Sequence, residues 1–352
     1  MPDSLAHPMP DTIFSSSHSF KQQFIQELKN LTTADEVGVF ILVLANAISK
    51  PEIYHALSKD LSNHFTLLKE KLNRLPNDEL KKIPTDDLSV FEALSNINFN
   101  DLSLSISKLC GVWQLQYNPL RSFRPARNSD KKITRLYQAF DNNSFHFNKI
   151  FLSREILWQG NLANIPLRLL YNKFPFADYH GLLVIEPELE KPQFLQQQDI
   201  VKIQQILSEA SHLQGIGLAY NSLGAYASVN HQHWQMFLSE QNYPVEHSVW
   251  THNSGSNNYP LGVECFHKVS DAWPLIDSYQ QSNCSFNLLV RPDKTYLIKR
   301  KKQGEYQHSH WTSGFAWSEI MGNIMTTTPL DYGQLTAHSI EQEFKLLGGY
   351  RT

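Results

Sequence analysis

The chain has 352 residues, enough to bury a sizeable core in one large domain or two smaller ones. Hydrophobic residues make up 41% and charged residues 18%, a balance typical of a globular protein and not of a disordered one. The formal net charge of -3 argues against a broad basic surface for a nucleic-acid duplex, so we expect no nucleic-acid partner.

The cysteines and the N-terminal residues indicate the cellular compartment in which the protein works. Cys110, Cys265 and Cys284 are odd in number and far apart, and they fit neither a disulfide framework nor a zinc spacing. The first residues lack the charged end and apolar segment of a secretory signal. The most apolar stretch, 37–48, is too short to span a bilayer. These features predict a cytoplasmic protein with no membrane partner.

The front of the chain is polar and then helical. Residues 1–18 are punctuated by prolines and predict a flexible tail, and residues 19–108 predict a helical N-terminal section without convincing catalytic residues. A capping box from Thr33 to Glu36 would begin one helix, and another would begin just after Pro51. The predicted helices lie within 19–30, 34–49 and 52–74, with a further helical stretch before residue 100.

From residue 109 onwards the pattern changes to strands mixed with a few helices. Strand-like hydrophobic runs flank turns within 168–187 and 283–300, whereas 199–213 has helical periodicity. Strands joined in hairpins, without alternating βαβ units, are typical of an α+β fold. We therefore expect one α+β domain over 109–352.

The stretch "YNSLGAYASVNHQHWQMFL" places two histidines and a glutamine at alternate positions in an apolar run. A strand presents every second side chain on the same face, so His231, His233 and Gln235 should share one face. Gln232 and Trp234 should then lie on the other face. Three interpretations are open: hydrogen-bonded strand residues, a metal site, or nucleophilic catalysis at phosphorus.

A metal site would need a third ligand. Carboxylate and cysteine partners are not evident near His231 and His233, and "CFH" (265–267) and "HSH" (307–309) are weak candidates. We therefore expect neither a metal nor another cofactor.

Nucleophilic catalysis accounts for more residues of the stretch 220–238 than the other two interpretations do. Neutral imidazole is a competent nucleophile near pH 7 when its second nitrogen gives its proton to a fixed acceptor. A turn of small residues around Gly224 would let backbone N–H groups approach phosphate oxygens, and Asn221, Ser222 and Ser228 would add donors. Gln235 can donate a hydrogen bond to a phosphate oxygen but cannot activate water, which favours group transfer over hydrolysis.

The motif "NHxHxQ", preceded by "YNSLGA", resembles the transferase branch of the histidine-triad superfamily. That branch contains hexose-1-phosphate uridylyltransferases, diadenosine tetraphosphate phosphorylases and GDP-hexose phosphorylases. The chain is most similar to the GDP-L-galactose/GDP-D-glucose phosphorylases, through "QYNPLRSFRPAR", "QAFDNNSFHFNKI", "YNKFPFADYHGLLVIEP", "GLAYNSLGAYASVNHQHWQMFL" and "FNLLV" in that order. The resemblance implies a histidine-triad-like fold, in which two related antiparallel-sheet halves with flanking helices form a pseudo-dimer.

The resemblance also implies a two-step exchange. His233 would attack the α-phosphorus of a GDP-hexose and expel hexose 1-phosphate, and inorganic phosphate would then release GDP from the guanylyl-histidine. His231 would support the reacting group and Gln235 would bind the transferred phosphate. The substrate-binding residues indicated by the resemblance and by side-chain chemistry are Asn172, Asn221, Ser222, Gly224, Ser228, Asn230, Arg121, Arg124 and Arg127. For each arginine the alternative is a surface ion pair.

Two departures from the family pattern stand out. Tyr179–His180 replaces the Gly-His common in relatives, and the helical section before residue 100 has no evident counterpart. Three other functions are therefore kept open: a dinucleoside polyphosphate phosphorylase, a hexose-1-phosphate uridylyltransferase, and a non-catalytic nucleotide-binding protein. The expected partners are a small-molecule nucleotide sugar and inorganic phosphate, and the oligomeric state is left undecided.

Overall fold

The computed structural model describes residues 13–97, 99, 102–123 and 132–348. None of the helices in these residues is long and apolar enough to cross a membrane. The helices are α1 (Ser17–Leu31), α2 (Val37–Ala47), α3 (Pro51–Arg74), α4 (Asn77–Leu80), α5 (Thr85–Ser95), α6 (Pro119–Ser122), α7 (Gln197–Glu209), α8 (Trp273–Gln281), α9 (Trp317–Ile320), α10 (Pro329–Gln334) and α11 (Ala337–Leu347).

The N-terminal helices begin where local chemistry favours them, with one exception. Ser16 caps α1 by accepting a hydrogen bond from the backbone N–H of Ser19, and Pro51 occupies the first turn of α3. The predicted capping box of α2 is wrong. Glu36 is the N-cap of α2 and makes no side-chain cap, whereas the Thr33 hydroxyl donates to the carbonyl of Asn30 at the end of α1. Thr33 lies too far from the start of α2 to cap it.

Two sheets follow the helical section. An eight-stranded sheet has the order β3-β4-β5-β7-β6-β9-β10-β8 with every described pair antiparallel, and a smaller sheet has the order β1-β2-β11 with β2 and β11 parallel. The strands are β1 (Ile106–Cys110), β2 (Trp113–Tyr117), β3 (Ile156–Leu162), β4 (Ile165–Tyr171), β5 (Gly181–Ile185), β6 (Ile216–Asn221), β7 (Trp234–Leu238), β8 (Val263–Phe266), β9 (Ser285–Val290), β10 (Thr295–Arg300) and β11 (Asn323–Thr326). The predicted α+β class is confirmed.

One face of the large sheet packs against the N-terminal helices in a common core. Phe24 of α1 and Phe40 of α2 belong to the same buried cluster as Trp234 of β7. Ile13 and Phe14 are also buried there, and the Phe14 ring meets the Trp158 ring edge-on at 4.9 Å. These two residues therefore belong to the core, although the sequence analysis placed them in a flexible tail. They are buried because both side chains are large and apolar, and burial removes their surface from water.

The other face of the large sheet packs against the small sheet and the C-terminal helices. Phe237 of β7 lies in this second cluster, and its ring stacks on Trp317 with centroids 5.2 Å apart. Because side chains alternate along a strand, Gln235 shares the Phe237 face of β7 and Trp234 faces the first core. The histidine motif thus enters the centre of the sheet from the start of β7.

Candidate active site

His231 and His233 lie in the loop that precedes β7, not on the strand itself. The strand begins at Trp234, one residue after the second histidine. The Gln193 side chain supplies the bonds that a neighbouring strand would otherwise make. It accepts from the N–H of His233 at 2.9 Å and donates to the carbonyls of His233 and Asn221 at 3.2 and 2.9 Å. A buried glutamine therefore holds the loop in place where β6 and β7 separate.

The alternation of side chains expected from the sequence is nevertheless present. Gln232 points towards α7 and donates to Asp199 at 2.9 Å, and Trp234 is buried in the first core. Gln235 points to the opposite side, where its oxygen lies 2.6 Å from Nε2 of His180. The loop thus keeps the two-residue period of the strand that follows it.

His233 presents a neutral nitrogen. Its Nδ1 lies 2.8 Å from the carbonyl oxygen of His231, which can only accept, so Nδ1 carries the proton and Nε2 carries a lone pair. Nε2 makes no hydrogen bond within the described ranges. Burial lowers the pKa of His233 to about 4, opposed by the bond to the His231 carbonyl, so the imidazole is uncharged at neutral pH. This is the protonation state that a nitrogen nucleophile requires.

His231 is fixed as the opposite tautomer. Its Nδ1 accepts the backbone N–H of Phe147 at 3.1 Å, so in the neutral ring Nε2 carries the proton and is a donor. Burial lowers the pKa of His231 to about 3, helped by His233, His146 and Arg168. The Phe147 ring stacks on His231 at 5.7 Å and contacts His233 at 4.9 Å. His231 therefore offers an N–H, whereas His233 offers a lone pair.

His180 orients the amide of Gln235. Nδ1 of His180 accepts the backbone N–H of Phe176 at 3.3 Å, so its Nε2–H donates to the Gln235 oxygen at 2.6 Å. Asn172 also donates to this oxygen, at 3.3 Å. Burial lowers the pKa of His180 to about 3, which keeps the ring neutral. With its oxygen held by two donors, Gln235 keeps its NH₂ group for another acceptor.

Asn221 and Ser222, expected to donate to phosphate, make internal hydrogen bonds at the end of β6. The Asn221 oxygen accepts from the side chain of Asn287 at 2.6 Å and from the backbone N–H of Trp317 at 3.0 Å. The Ser222 hydroxyl oxygen accepts the backbone N–H of Phe286 at 2.9 Å. Both side chains therefore hold the turn against its neighbours.

Gly224, Ser228 and Asn230 complete the segment between β6 and the histidines. Gly224 has a φ of +80°, and a Cβ there would lie 2.6 Å from the Ser285 hydroxyl, so the turn requires glycine. Ser228 is exposed. Asn230 donates to the backbone carbonyls of residues 138 and 139 and thus joins the loop to a distant segment.

Of the three arginines, Arg121 alone lies within the described residues. It donates to the carbonyl of Phe174 at 2.9 Å, and its guanidinium lies 5.0 Å from the centre of the Phe176 ring. Arg124 and Arg127 lie outside the described residues. The structure therefore places Arg121 over the ring of Phe176, the residue whose backbone N–H fixes His180.

Several residues that shape the site were not predicted as site residues. His180 and Gln193 were passed over, although the resemblance covered the segment around His180. Arg168 donates to the Asn148 side chain at 2.7 Å and to the carbonyl of Phe147 at 3.3 Å, and so holds the segment that fixes His231. The signal available in the sequence was the quoted segment "QAFDNNSFHFNKI", which contains this turn.

A metal site would require several ligating side chains close together. Within 13–97, 99, 102–123 and 132–348, no three His, Cys, Asp or Glu side chains stand close enough together to hold a metal ion. His231 and Gln235, two residues to either side of His233, instead offer an N–H and an amide NH₂ group. Such neutral donors suit the oxygens of a phosphate group.

The family comparison covers this site. Residues 109–237 match the family model described as "GDPGP1-like, N-terminal domain". Over this segment the chain is similar to the GDP-hexose phosphorylase family. The matched residues include β4, β5, β6, the loop with both histidines and most of β7.

Named members of the GDP-hexose phosphorylase family are similar over part of their length. The chain is 27% identical to GDP-L-galactose phosphorylase 2 of Arabidopsis thaliana over 199 residues, covering 47% of this chain and 46% of that protein. It is 34% identical to GDP-D-glucose phosphorylase 1 of Homo sapiens over 128 residues, covering 34% and 33% of the two chains. The alignments thus span less than half of these relatives.

Among solved structures, the chain is similar to the yeast Ap4A phosphorylase Apa2 in complex with Ap4A. The TM-score is 0.49 with 14% identity, over 75% of this chain and 97% of that chain.

Proposed function

We propose that the chain is a nucleotidyl-transferring phosphorylase that converts a GDP-hexose and inorganic phosphate into GDP and hexose 1-phosphate. The names of the relatives support this substrate class. The observation that carries the mechanism is the tautomer of His233, whose Nδ1–H is bonded to the His231 carbonyl and whose Nε2 keeps its lone pair.

In the first step the Nε2 lone pair of His233 attacks the α-phosphorus of the GDP-hexose. A P–N bond forms, the bond from that phosphorus to the bridging oxygen breaks, and hexose 1-phosphate leaves with the electron pair. The leaving group is a phosphate, a weak base, and needs no strong proton donor. The imidazole becomes positively charged, and the His231 carbonyl stabilises it through Nδ1–H.

In the second step an oxygen of inorganic phosphate attacks the phosphorus of the guanylyl-histidine. The P–N bond breaks, its electrons return to Nε2 and GDP is released. The N–H of His231 and the amide of Gln235 donate to the non-bridging oxygens, which gain charge in both steps. Gln235 cannot deprotonate water, which favours phosphate over water as the acceptor.

The finer features of the fold are part of the same proposal. We assign a histidine-triad-like fold with two related halves to residues 109–352, and residues 19–108 form an added helical section. The antiparallel sheet and the motif at the start of a central strand support this assignment. The three cysteines, which are unpaired, fit a reducing cytoplasm.

Purified protein incubated with GDP-hexoses and phosphate should release GDP and hexose 1-phosphate. His233→Asn keeps an amide donor for the His231 carbonyl but removes Nε2, so the rate should fall by several orders of magnitude. His338→Asn, at an exposed position of α11, is the matched control and should keep full activity.

Diadenosine tetraphosphate, and UDP-glucose with galactose 1-phosphate, are tested in parallel. Faster turnover of either would replace the GDP-hexose assignment with a related transferase. Tight nucleotide binding without any turnover would indicate a sensor. Full activity of His233→Asn would contradict the mechanism.

A further inference from the structure

A cavity of about 460 Å³ lies away from the catalytic histidines, where three parts of the fold meet. Lys50 comes from the N-terminal helices, Asn323 from the small sheet, and Leu238 is the last residue of β7. His233 precedes the other end of β7, and five strand residues span roughly 16 Å. The volume lies within the range of small-molecule sites.

The charged residues that line the cavity are already paired. Lys50 lies 2.6 Å from the carboxylate of Asp178, and Lys21 lies 2.9 Å from that of Glu240. The remaining carboxylate, Glu52, accepts the hydroxyl of Tyr179 at 3.0 Å. Two lysines against three carboxylates leave no surplus positive charge for an anionic ligand.

The other polar lining consists of neutral hydroxyl and amide groups. Ser49, Ser107 and Ser239 contribute hydroxyls, and Gln114, Gln116, Gln241 and Asn242 contribute amides. Hydroxyl groups of a ligand can both donate to and accept from such side chains.

We propose that this cavity is a second binding site, which takes a small, neutral, polyhydroxylated molecule such as a sugar or polyol. It is distinct from the nucleotide-transfer site and does not depend on the proposed reaction. Hydroxyl groups match the amides, hydroxyls and paired carboxylates of the lining, and Phe176 and Tyr243 supply apolar surface for a carbon ring.

The site adjoins the backbone that orients the catalytic glutamine. The Asn323 side chain donates to the carbonyl of Phe176 at 3.4 Å, and the N–H of Phe176 donates to His180. His180 in turn holds the oxygen of Gln235. A ligand that packs against Phe176 therefore contacts a residue linked to Gln235 through two hydrogen bonds.

Saturation-transfer NMR and calorimetry with glucose, sorbitol and myo-inositol test the proposal, each in the presence of saturating GDP. Ser107→Trp places a large ring on a residue that lines the cavity, and Leu109→Trp is the matched control two residues along the same strand, where the native side chain is 75% exposed. At least one polyol should bind to the parent protein and to Leu109→Trp equally, and at least tenfold more weakly to Ser107→Trp.

Four results would overturn the proposal. If no polyol binds, the cavity holds water only. If GDP displaces the polyol, or Ser107→Trp leaves binding unchanged, the polyol occupies another site. If phosphate or spermidine competes for the cavity, the ligand is charged. Because the assay measures binding and not turnover, failure of the proposed phosphorylase activity would not affect its outcome.

Discussion

Backbone groups fix the protonation of all three histidines around the motif. The carbonyl of His231 accepts from His233, whereas the N–H groups of Phe147 and Phe176 donate to His231 and His180. Because a carbonyl can only accept and a backbone N–H can only donate, each ring has one possible neutral tautomer. The outcome is one lone pair on His233 and one N–H on His231.

The low pKa values give a prediction for the pH dependence of the first step. Since His233 stays neutral down to about pH 4, nucleotide transfer to the protein should be independent of pH between about pH 5 and 8. Single-turnover rates measured without phosphate avoid the titration of the second substrate. A break near the ordinary histidine pKa of 6.5 would show that burial does not hold His233 neutral.

The protein must stay folded between about pH 5 and 8 for the single-turnover rates to be comparable. In the unfolded chain these histidines take up protons near pH 6.5, whereas in the folded protein they resist protonation until about pH 4 to 3. Protonation therefore favours the unfolded state as the pH falls below 6.5, and stability decreases in that direction. Circular dichroism at each pH is the control.

At the residue scale, period-two alternation predicted that Gln232 and Trp234 lie on the side opposite to Gln235, as observed, because this pattern is local. That His231 and His233 share the side of Gln235 stays a prediction, and the sequence did not show how these residues are held. The bonds that set the loop come from Gln193, 40 residues before His233, and from Phe147, 84 residues before His231. Contacts of this range leave no local pattern.

At the scale of elements, the segment that contains His180 is linked to the N-terminal helices through Tyr179. The φ of 49° at Tyr179 is one that glycine adopts without strain. Its ring packs edge-on against Phe24 of α1 at 5.3 Å, and its hydroxyl donates to Glu52 of α3. The N-terminal helices therefore provide the contacts that offset the backbone strain at Tyr179.

Tyr179→Gly tests this balance. Loss of a buried aromatic ring should outweigh the relief of strain, and the free energy of unfolding should fall by about 2–3 kcal/mol in a urea titration. Tyr179→Phe removes only the hydroxyl and should cost about 1 kcal/mol. A Tyr179→Gly variant more stable than the parent would mean that strain dominates.

The long N-terminal helices, α7 and the strands that flank the turns within 168–187 and 283–300 were predictable from periodicity within a few residues, whereas α8 was not predicted. The Thr33–Glu36 capping box failed because a four-residue match does not say where the preceding helix ends. Thr33 serves the end of α1 instead of the start of α2. Sequence alone also could not supply the order of the large sheet, in which β7 lies between β5 and β6 through antiparallel pairs.

At the scale of the whole molecule, the helical section and the large sheet share one core. Phe40 of α2 and Trp234 of β7 are completely buried in the same cluster. The apolar face of the helices is thus covered by the sheet that carries the histidine motif. We therefore expect the two parts to unfold together.

Phe40→Ala should lower the free energy of unfolding by about 3–5 kcal/mol. The helix signal and the tertiary-packing signal should be lost together, at one denaturant concentration lower than that of the parent protein. Leu67→Ala, at a position of α3 that is 66% exposed, should change stability by no more than about 0.5 kcal/mol. Two separate transitions, with only the helical one shifted, would show that the helical section is an independent domain.

The proposed phosphorylase depends on a covalent bond between Nε2 of His233 and a nucleoside monophosphate. Peptide mass spectrometry tests this bond most directly, on protein mixed with a GDP-hexose without phosphate and denatured at neutral or alkaline pH. The account predicts a guanylyl group on the peptide that contains His233, lost on addition of phosphate and absent from His233→Asn. Steady product formation without an adduct, or an adduct on another residue, would contradict it.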